Sequence, residues 1–125
     1  MIAALQETKL TSKSKIPNIP QYTLLRSDRE RNKGGGLAFI IHENILFKPL
    51  PYPPTDNHME YLGIEIDNIK IINIYIPPSS SCDNDYNPDI SRIIPTEDCI
   101  ILGDFNAHDQ LWYSPLQPEE RPYQR

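Results

Sequence analysis

The chain has 125 residues and a formal net charge of −5, and this length allows one domain at most. It contains no run of about 18 apolar residues, so no transmembrane helix is predicted, and an acidic residue follows the start too soon for a signal peptide. The acidic balance argues against a protein that holds nucleic acid by bulk charge. Cys82 and Cys99 provide neither a disulfide framework nor a four-ligand zinc site, and they fit a reducing compartment.

Short strands separated by loops are predicted, because the 13 prolines of the chain interrupt longer elements. Apolar runs predict strands at residues 2–6, 22–25 and 37–42, the last of which opens after Gly34-Gly35-Gly36. A short edge strand is predicted at residues 46–50.

A β-hairpin is the clearest element that the sequence predicts. Two isoleucine-rich runs, residues 61–66 and 69–76, flank the pair Asp67-Asn68, which is typical of a tight hairpin turn. In the second run the isoleucines at even positions share one face, whereas Asn73 and Tyr75 share the other. A polar pair on an otherwise apolar strand needs a reason.

The last third of the chain predicts a short helix, one more strand and a tail. Residues 88–94 allow a helix that begins at its proline, and residues 99–102 predict a buried strand. The segment Gly103-Asp104-Phe105-Asn106-Ala107-His108 turns off the end of that strand. We place the domain at residues 1–114 and predict a disordered tail at 115–125. Strands dominate, so the fold class is α/β or α+β with a mainly antiparallel sheet.

Polar side chains stand at or near the ends of three of these strands. Glu7 follows the first, Tyr75 lies near the end of the hairpin, and Asp104 and Asn106 follow the last. Strand ends commonly project functional groups into a cleft. Two carboxylates that converge there form an oxygen-rich site suited to Mg²⁺, and a nearby amide and hydroxyl add donors for a phosphate. The pattern indicates phosphoester hydrolysis.

The two halves of the chain differ in charge. Up to Lys48 there are eight Lys/Arg and four Asp/Glu, whereas the remainder has four Lys/Arg and thirteen Asp/Glu. A basic half beside an acidic half suits a protein that binds phosphate with one region and has a cluster of carboxylates in the other. An uneven distribution of surface charge that arose by chance explains the difference between the two halves equally well.

Four motifs in a fixed order resemble one protein family. They are Leu5-Gln6-Glu7-Thr8-Lys9, Gly35-Gly36-Leu37-Ala38, Asn73-Ile74-Tyr75-Ile76-Pro77-Pro78 and Gly103-Asp104-Phe105-Asn106-Ala107-His108. They are similar to successive motifs of the endonuclease/exonuclease/phosphatase fold, whose members include apurinic endonucleases, deoxyribonuclease I and inositol-polyphosphate 5-phosphatases. The resemblance covers residues 2–114 and implies a two-sheet, four-layer sandwich.

A subgroup of this family is more similar than the rest. The Asn-Ala-His ending of the last motif, followed by Leu111-Trp112 and Ser114, resembles endonuclease domains of retrotransposons that lack long terminal repeats (non-LTR), jockey-like elements in particular. Such a domain implies DNA as substrate and a reverse transcriptase on the same polypeptide. It implies no membrane association.

The resemblance also implies roles for individual residues. Glu7 would be the principal ligand of Mg²⁺, with Mn²⁺ as an alternative ion. Tyr75 would donate a hydrogen bond to the scissile phosphate. Asp104 would position or activate the attacking water, and Asn106 would orient Asp104 and contact the phosphate. His108 matches the retrotransposon subgroup.

Each of these residues can also be interpreted as having no catalytic role. Glu7 would be a solvated side chain, Tyr75 a half-buried strand tyrosine, the Asp104–Asn106 pair an Asx turn and His108 a surface histidine. A group of basic side chains could meet DNA phosphates, but a solvated charged loop is the favoured interpretation; the group is Arg26, Arg29, Arg31 and Lys33. Trp112 is interpreted as a packing residue, and Gly35 and Gly36 as serving backbone geometry.

The chain departs from the family pattern at both ends. The family has an Asn-bearing strand before the Leu-Gln-Glu strand, and a Ser-Asp-His motif whose histidine acts as acid/base group. Here the only histidines are His42, His58 and His108, and none follows the last motif at the family distance. We therefore expect an incomplete sandwich, a fragment that is inactive or nearly so by itself.

Three functions remain open at this point. The first is a fragment of a retrotransposon endonuclease that nicks DNA and must reach the nucleus, so an intracellular location, nuclear or cytoplasmic, is expected. The second is another phosphoesterase of the same fold, acting on phosphoinositides or abasic DNA. The third is a degenerate remnant without activity. We favour the first for ancestry and chemistry.

Overall fold

The computed structural model describes residues 1–16, 18–29, 34–53, 58–78, 88–91, 93–94 and 98–106. Within these residues the secondary structure consists of seven strands and no helix. In chain order the strands are β1 (Ile2–Gln6), β2 (Tyr22–Ser27), β3 (Leu37–His42), β4 (Lys48–Pro49), β5 (Glu60–Ile66), β6 (Ile69–Tyr75) and β7 (Cys99–Asp104).

The strands form two sheets. The first has the order β1-β3-β2 and is antiparallel throughout. The second has the order β4-β5-β6-β7, in which only β6 and β7 run parallel. The predicted arrangement of two sheets with mainly antiparallel strands is confirmed and is compatible with an endonuclease/exonuclease/phosphatase sandwich. The helical outer layers of that fold do not occur among the described residues.

The predicted hairpin is present as β5 and β6. Asp67 and Asn68 have φ values of 50° and 65°, so both turn residues are left-handed. Two left-handed residues define a type I′ turn, whose twist matches that of the strands it joins. Ile66 pairs with Ile69 directly beside the turn, which fixes the register of the whole hairpin.

Two apolar clusters lie on opposite faces of the second sheet. The cluster between the sheets includes Phe39 and Ile41 of β3 and Ile64 of β5, all completely buried. Full burial of each such side chain contributes about 1.5–3 kcal/mol. The outer cluster includes Ile72 and Ile74 of β6. The alternation of β6 therefore turns its even-numbered isoleucines outward and leaves the odd positions facing the first sheet.

The predicted helix at residues 88–94 is wrong for the part of the segment that the structure describes. There the amides of Ile93 and Ile94 both donate to the carbonyl of Ile90, which makes a single turn. Proline disfavours the helical conformation of the residue before it, and Pro95 follows directly. Too few residues remain between the two prolines for a stable helix.

Two strands extend two residues further than predicted. β2 continues through Ser27, because the antiparallel pairing with β3 runs on to Leu37. β7 continues through Asp104, which pairs with Tyr75. Asp104 is thus the last residue of its strand and does not follow it, as the sequence analysis expected.

Several predictions fall outside the described residues. They concern Arg31, Lys33, Cys82, His108, Leu111, Trp112, Ser114, the domain boundary at 114 and the tail at 115–125. Cys99 is a free, half-buried thiol. No helix with the length and apolar character needed to cross a membrane occurs in the described part of the chain.

Candidate active site

The two sheets are joined by the side chain of Asn73, which is completely buried on β6. Its amide nitrogen donates to the carbonyl of Leu5 at 3.0 Å and to that of Ala38 at 3.1 Å. Its amide oxygen accepts a hydrogen bond of 2.7 Å from the side chain of Gln6. One amide therefore connects β6 to both β1 and β3 of the other sheet, and this explains the polar position on an apolar strand.

Glu7 begins a tight turn at the end of β1. Its φ of 52° is left-handed, and its side chain is exposed. The far side of the turn is fixed to the start of β3, because the amides of Thr8 and Lys9 donate to the carbonyls of Gly36 and Gly35 at 3.2 and 2.7 Å. Left-handed non-glycine residues are uncommon and cluster at functional sites.

Gly36 confirms the interpretation of the glycine run as a geometric feature. Its φ is 94°, and a Cβ atom at this position would overlap the hydroxyl oxygen of Thr8. A glycine is therefore required for the close approach of the β3 start to the Glu7 turn.

Tyr75 reaches the Glu7 turn from β6. Its hydroxyl donates to Oε1 of Glu7 at 3.3 Å, so the end of β6 meets the end of β1. Burial raises the pKa of Tyr75 most, and the negative charge and hydrogen bond of Glu7 and the charge of Asp104 raise it further. A hydrogen bond with Asn106 acts in the opposite direction. The phenol therefore remains protonated at neutral pH and can donate a hydrogen bond.

Asp104 and Asn106 form a turn beside Tyr75. The amide of Asn106 donates to Oδ1 of Asp104 at 3.0 Å, and its side-chain nitrogen donates to the carbonyl of Ile76 at 2.6 Å. The amide of Ile76 donates to the carbonyl of Asp104 at 2.8 Å. The Asx turn of the non-catalytic reading is therefore present, and it is the same turn that brings Asn106 to Tyr75.

The structure thus brings four of the five predicted site residues to one place. Glu7, Tyr75, Asp104 and Asn106 come from β1, β6 and β7 and the turns that follow them. The fifth residue, His108, lies outside the described residues. The assigned roles of all five stay predictions.

An ion pair beside this group was missed by the sequence analysis. Glu60 lies opposite Tyr75 in the β5–β6 pairing. Oε2 of its carboxylate accepts hydrogen bonds of 2.6 and 3.2 Å from the guanidinium of Arg29, and Oε1 accepts one of 2.7 Å from the amide of Gly36. The carbon Cζ of Arg29 lies 5.8 Å from the centre of the Tyr75 ring. Arg29 therefore contacts both the site tyrosine and the glycine-rich turn.

The interpretation of the basic residues as a solvated loop is wrong for Arg26 and Arg29. Both side chains are partly buried, with exposed fractions of 23% for Arg26 and 24% for Arg29. Arg26 pairs with Asp28 at 3.1 Å and donates to the carbonyl of Thr11 at 3.3 Å. The hairpin register alone would have placed Glu60 opposite Tyr75, but no sequence signal joins a loop arginine to either residue.

The site offers oxygen donors that could hold a hard cation. Its donors are the carboxylates of Glu7 and Asp104 and the hydroxyl of Tyr75, all oxygen atoms, which suit Mg²⁺. The described residues contain no group of three or more acidic, histidine or cysteine side chains around a common point. A cation that keeps several of its own waters, as Mg²⁺ does, fits so small a protein donor set.

Two comparisons with known proteins bear on the family of the chain. Residues 69–122 match the family model described as "Endonuclease-reverse transcriptase". The chain is also 24% identical over 127 aligned positions to a DNA-(apurinic or apyrimidinic site) endonuclease of Dictyostelium discoideum. That alignment covers 88% of this chain and 35% of the relative, so the chain spans about a third of the length of the protein that it matches.

These findings support an endonuclease-type phosphodiesterase at the level of the family. More particularly, they support an endonuclease/exonuclease/phosphatase domain, and the resemblance drawn from the four motifs is confirmed to that extent. This family is generally metal-dependent. The retrotransposon context is suggested by the family description alone.

Proposed function

We propose that the chain is part of a Mg²⁺-dependent DNA-nicking endonuclease encoded by a non-LTR retrotransposon. The observation that supports this most is the contact between Tyr75 and Glu7, with Asp104 and Asn106 beside the same phenol. Carboxylates that could hold a cation therefore lie beside neutral donors that could bind a phosphate, a combination that suits metal-assisted phosphodiester hydrolysis.

Each residue has a defined task in this proposal. Glu7 holds the divalent cation, which when bound neutralises charge on the phosphate. Tyr75 donates its phenolic proton in a hydrogen bond to a non-bridging phosphate oxygen. Asp104 accepts a hydrogen bond from the attacking water and orients it toward phosphorus. Asn106 fixes Asp104 through the turn described above and presents its amide to the phosphate.

The proposed reaction is hydrolysis of one strand of duplex DNA. The water oxygen bonds to phosphorus, and the bond from phosphorus to the 3′-oxygen breaks. The products are a 5′-phosphate and a 3′-hydroxyl, and the hydroxyl can prime reverse transcription. A reverse transcriptase on the same polypeptide and access to the nucleus are parts of this proposal.

The chain alone is proposed to be inactive or nearly so. The family pattern implies a histidine in a Ser-Asp-His motif as acid/base group, and the sequence contains no such motif. Loss of a general acid or base typically lowers the rate by about 10²–10⁴-fold. His108 is a candidate for a smaller, subgroup-specific role.

A second candidate function is favoured by the named relative, an endonuclease of apurinic or apyrimidinic sites. The Asn-Ala-His segment followed by Leu111-Trp112 favours the retrotransposon subgroup instead. A degenerate remnant remains the third reading, and weak Mg²⁺ binding that is lost in Glu7→Gln, with no cleavage of any substrate, would fit it.

Nicking of supercoiled plasmid by the purified chain tests the proposal, with abasic duplex DNA and a phosphoinositide assayed in parallel. We expect slow conversion of plasmid to the open circle with Mg²⁺ or Mn²⁺, abolished in both Glu7→Gln and Asp104→Asn. Faster cleavage at abasic sites supports the second candidate. Rapid plasmid turnover contradicts the expected inactivity of the chain, and cleavage that survives both substitutions contradicts the assigned site.

A further inference from the structure

We propose that Asn73 is a positioning residue for Glu7, one that sets the distance between the Glu7 carboxylate and the Tyr75 hydroxyl. The proposal rests on the proposed function only in that Glu7 and Tyr75 are the groups being positioned. It concerns a residue to which neither the motif resemblance nor the proposed reaction assigns a role.

The side chain of Asn73 is fully engaged in hydrogen bonds. Both protons of its amide nitrogen have carbonyl acceptors, on Leu5 and Ala38, and its oxygen has the Gln6 amide as donor. These partners belong to paired strands, because Leu5 lies opposite Ala38 in the β1–β3 ladder. Asn73 is therefore hydrogen-bonded to the first sheet at the cross-strand pair Leu5–Ala38 and at Gln6, the residue that follows Leu5 on β1.

Two of the three partners of Asn73 directly precede Glu7 in the chain. Gln6 and Leu5 are hydrogen-bonded to the side chain of Asn73. Thr8 and Lys9 donate from their backbone amides to the carbonyls of Gly36 and Gly35. Glu7 is the single residue between these two fixed points. The left-handed φ of 52° occurs at this one residue between the two sets of hydrogen bonds.

Asn73 and Tyr75 lie on the same face of β6, two residues apart. In a strand this separation places their Cα atoms roughly 6.6 Å apart on a rigid backbone. The element that holds the end of β1 is thus also the element that presents the phenol to Glu7. A movement of β1 relative to Asn73 would directly lengthen the 3.3 Å contact between Tyr75 and Glu7.

Substitution of residues that orient a metal-ligating side chain typically lowers metal affinity or activity by about 10–100-fold. Loss of the Asn73 bonds should therefore weaken a cation at Glu7 about tenfold or more in molecules that remain folded. A residue that only stabilises the core would change the folded fraction and leave that affinity unchanged.

The test uses the full chain and NMR. The first readout is the cross-relaxation signal between the Tyr75 ring protons and the Glu7 side chain. The second is the affinity for Mn²⁺, added alone and followed by paramagnetic broadening at Glu7. The variants are Asn73→Leu, which keeps the side-chain volume, and Gln6→Met, which removes one partner at a half-buried position. Ile72→Val is the control, on the opposite, apolar face of β6.

We expect both variants to lose most of the Tyr75–Glu7 signal and to bind Mn²⁺ about tenfold more weakly, with Gln6→Met the milder. Ile72→Val should retain both properties. A folded Asn73→Leu or Gln6→Met chain with the parent signal and affinity would overturn the proposal. If Asn73→Leu does not fold, Gln6→Met decides. If the parent chain binds no Mn²⁺, the proposed function fails, whereas loss of the Tyr75–Glu7 signal still supports the positioning role.

Discussion

The hydroxyl of Tyr75 donates to the carboxylate of Glu7 at 3.3 Å, across 68 positions of sequence and across the two sheets. This contact joins the ends of β1 and β6, two strands that have no hydrogen-bonded ladder in common. It also joins a buried phenol to an exposed carboxylate, so that a hydroxyl donor and a carboxylate acceptor share one edge of the sandwich.

Tyr75→Phe should separate the chemistry of this contact from the fold. Removal of one hydrogen bond lowers the free energy of unfolding by about 0.5–1.5 kcal/mol. Loss of a donor to the phosphate should lower the rate of nicking by about 10²–10³-fold. Urea unfolding measures the first effect, and the second appears as loss of detectable plasmid nicking, because the chain alone is expected to nick slowly. Tyr22→Phe, on the far strand of the other sheet, is the matched control and should leave nicking unchanged.

Alkaline pH should destabilise the protein through Tyr61 and Tyr75. Burial raises the pKa of both phenols above the ordinary value of 10.0, although the charge of Lys70 partly offsets this at Tyr61. Above the pKa of the unfolded chain the unfolded state loses protons that the folded state keeps. Stability is therefore fully present below pH 10 and is lost as the pH rises through the folded pKa values.

Urea unfolding at a series of pH values above neutrality measures this dependence. Tyr61→Phe and Tyr75→Phe should each flatten the decline above pH 10, because each removes one titrating phenol. A decline that is identical in both variants and in the parent chain would assign the alkaline transition to other groups.

The Arg29–Glu60 pair should contribute more to stability than an exposed ion pair does. Arg29→Lys loses the two-point hydrogen bond to Oε2 and should lower the free energy of unfolding by about 1–3 kcal/mol. Lys48→Ala is the comparison, since the Lys48 side chain is 79% exposed in its pair with Glu65 and should change stability by less than about 1 kcal/mol. Equal effects of the two substitutions would contradict the structural role given to Arg29.

Gly103→Ala should be among the most disruptive small substitutions. The φ of Gly103 is 151°, and a Cβ atom there would overlap the carbonyl of Ile74 on the neighbouring strand. Gly34 also has a positive φ, of 86°, but a Cβ there would meet only the Arg29 side chain at 3.9 Å. We expect Gly34→Ala to cost about 1 kcal/mol and Gly103→Ala clearly more, as measured by thermal unfolding.

Local patterns explain most of the fold that could be predicted. The Asp67-Asn68 turn and the alternation of isoleucines determine the β5–β6 hairpin without any long-range information. The segment 88–94 was predicted wrongly because a favourable helix start was given more weight than Pro95, which restricts the helix end. Strand ends were less certain because the pairing partner decides them, as at β2 and β7.

Some residues of the site could be predicted from local sequence, whereas their long-range partners could not. Glu7, Tyr75, Asp104 and Asn106 each stand at a strand end, so their proximity could be expected from the sequence. The sequence also indicated that Asn73 needed a partner, but that partner lies 67 or 68 positions away in another sheet. The ion pair of Arg29 could not be predicted, because a loop arginine looks the same in the sequence whether it is solvated or paired.

Binding of Mn²⁺ to the chain, followed by NMR line broadening, tests the central claim most directly. The site of four residues predicts that broadening begins at Glu7 and Tyr75 and spreads to Asp104 and Asn106. Glu7→Gln should abolish this pattern without unfolding the chain. Broadening that centres on other carboxylates, such as Glu65 and Asp67 at the hairpin end, and that persists in Glu7→Gln would contradict the assignment of the site.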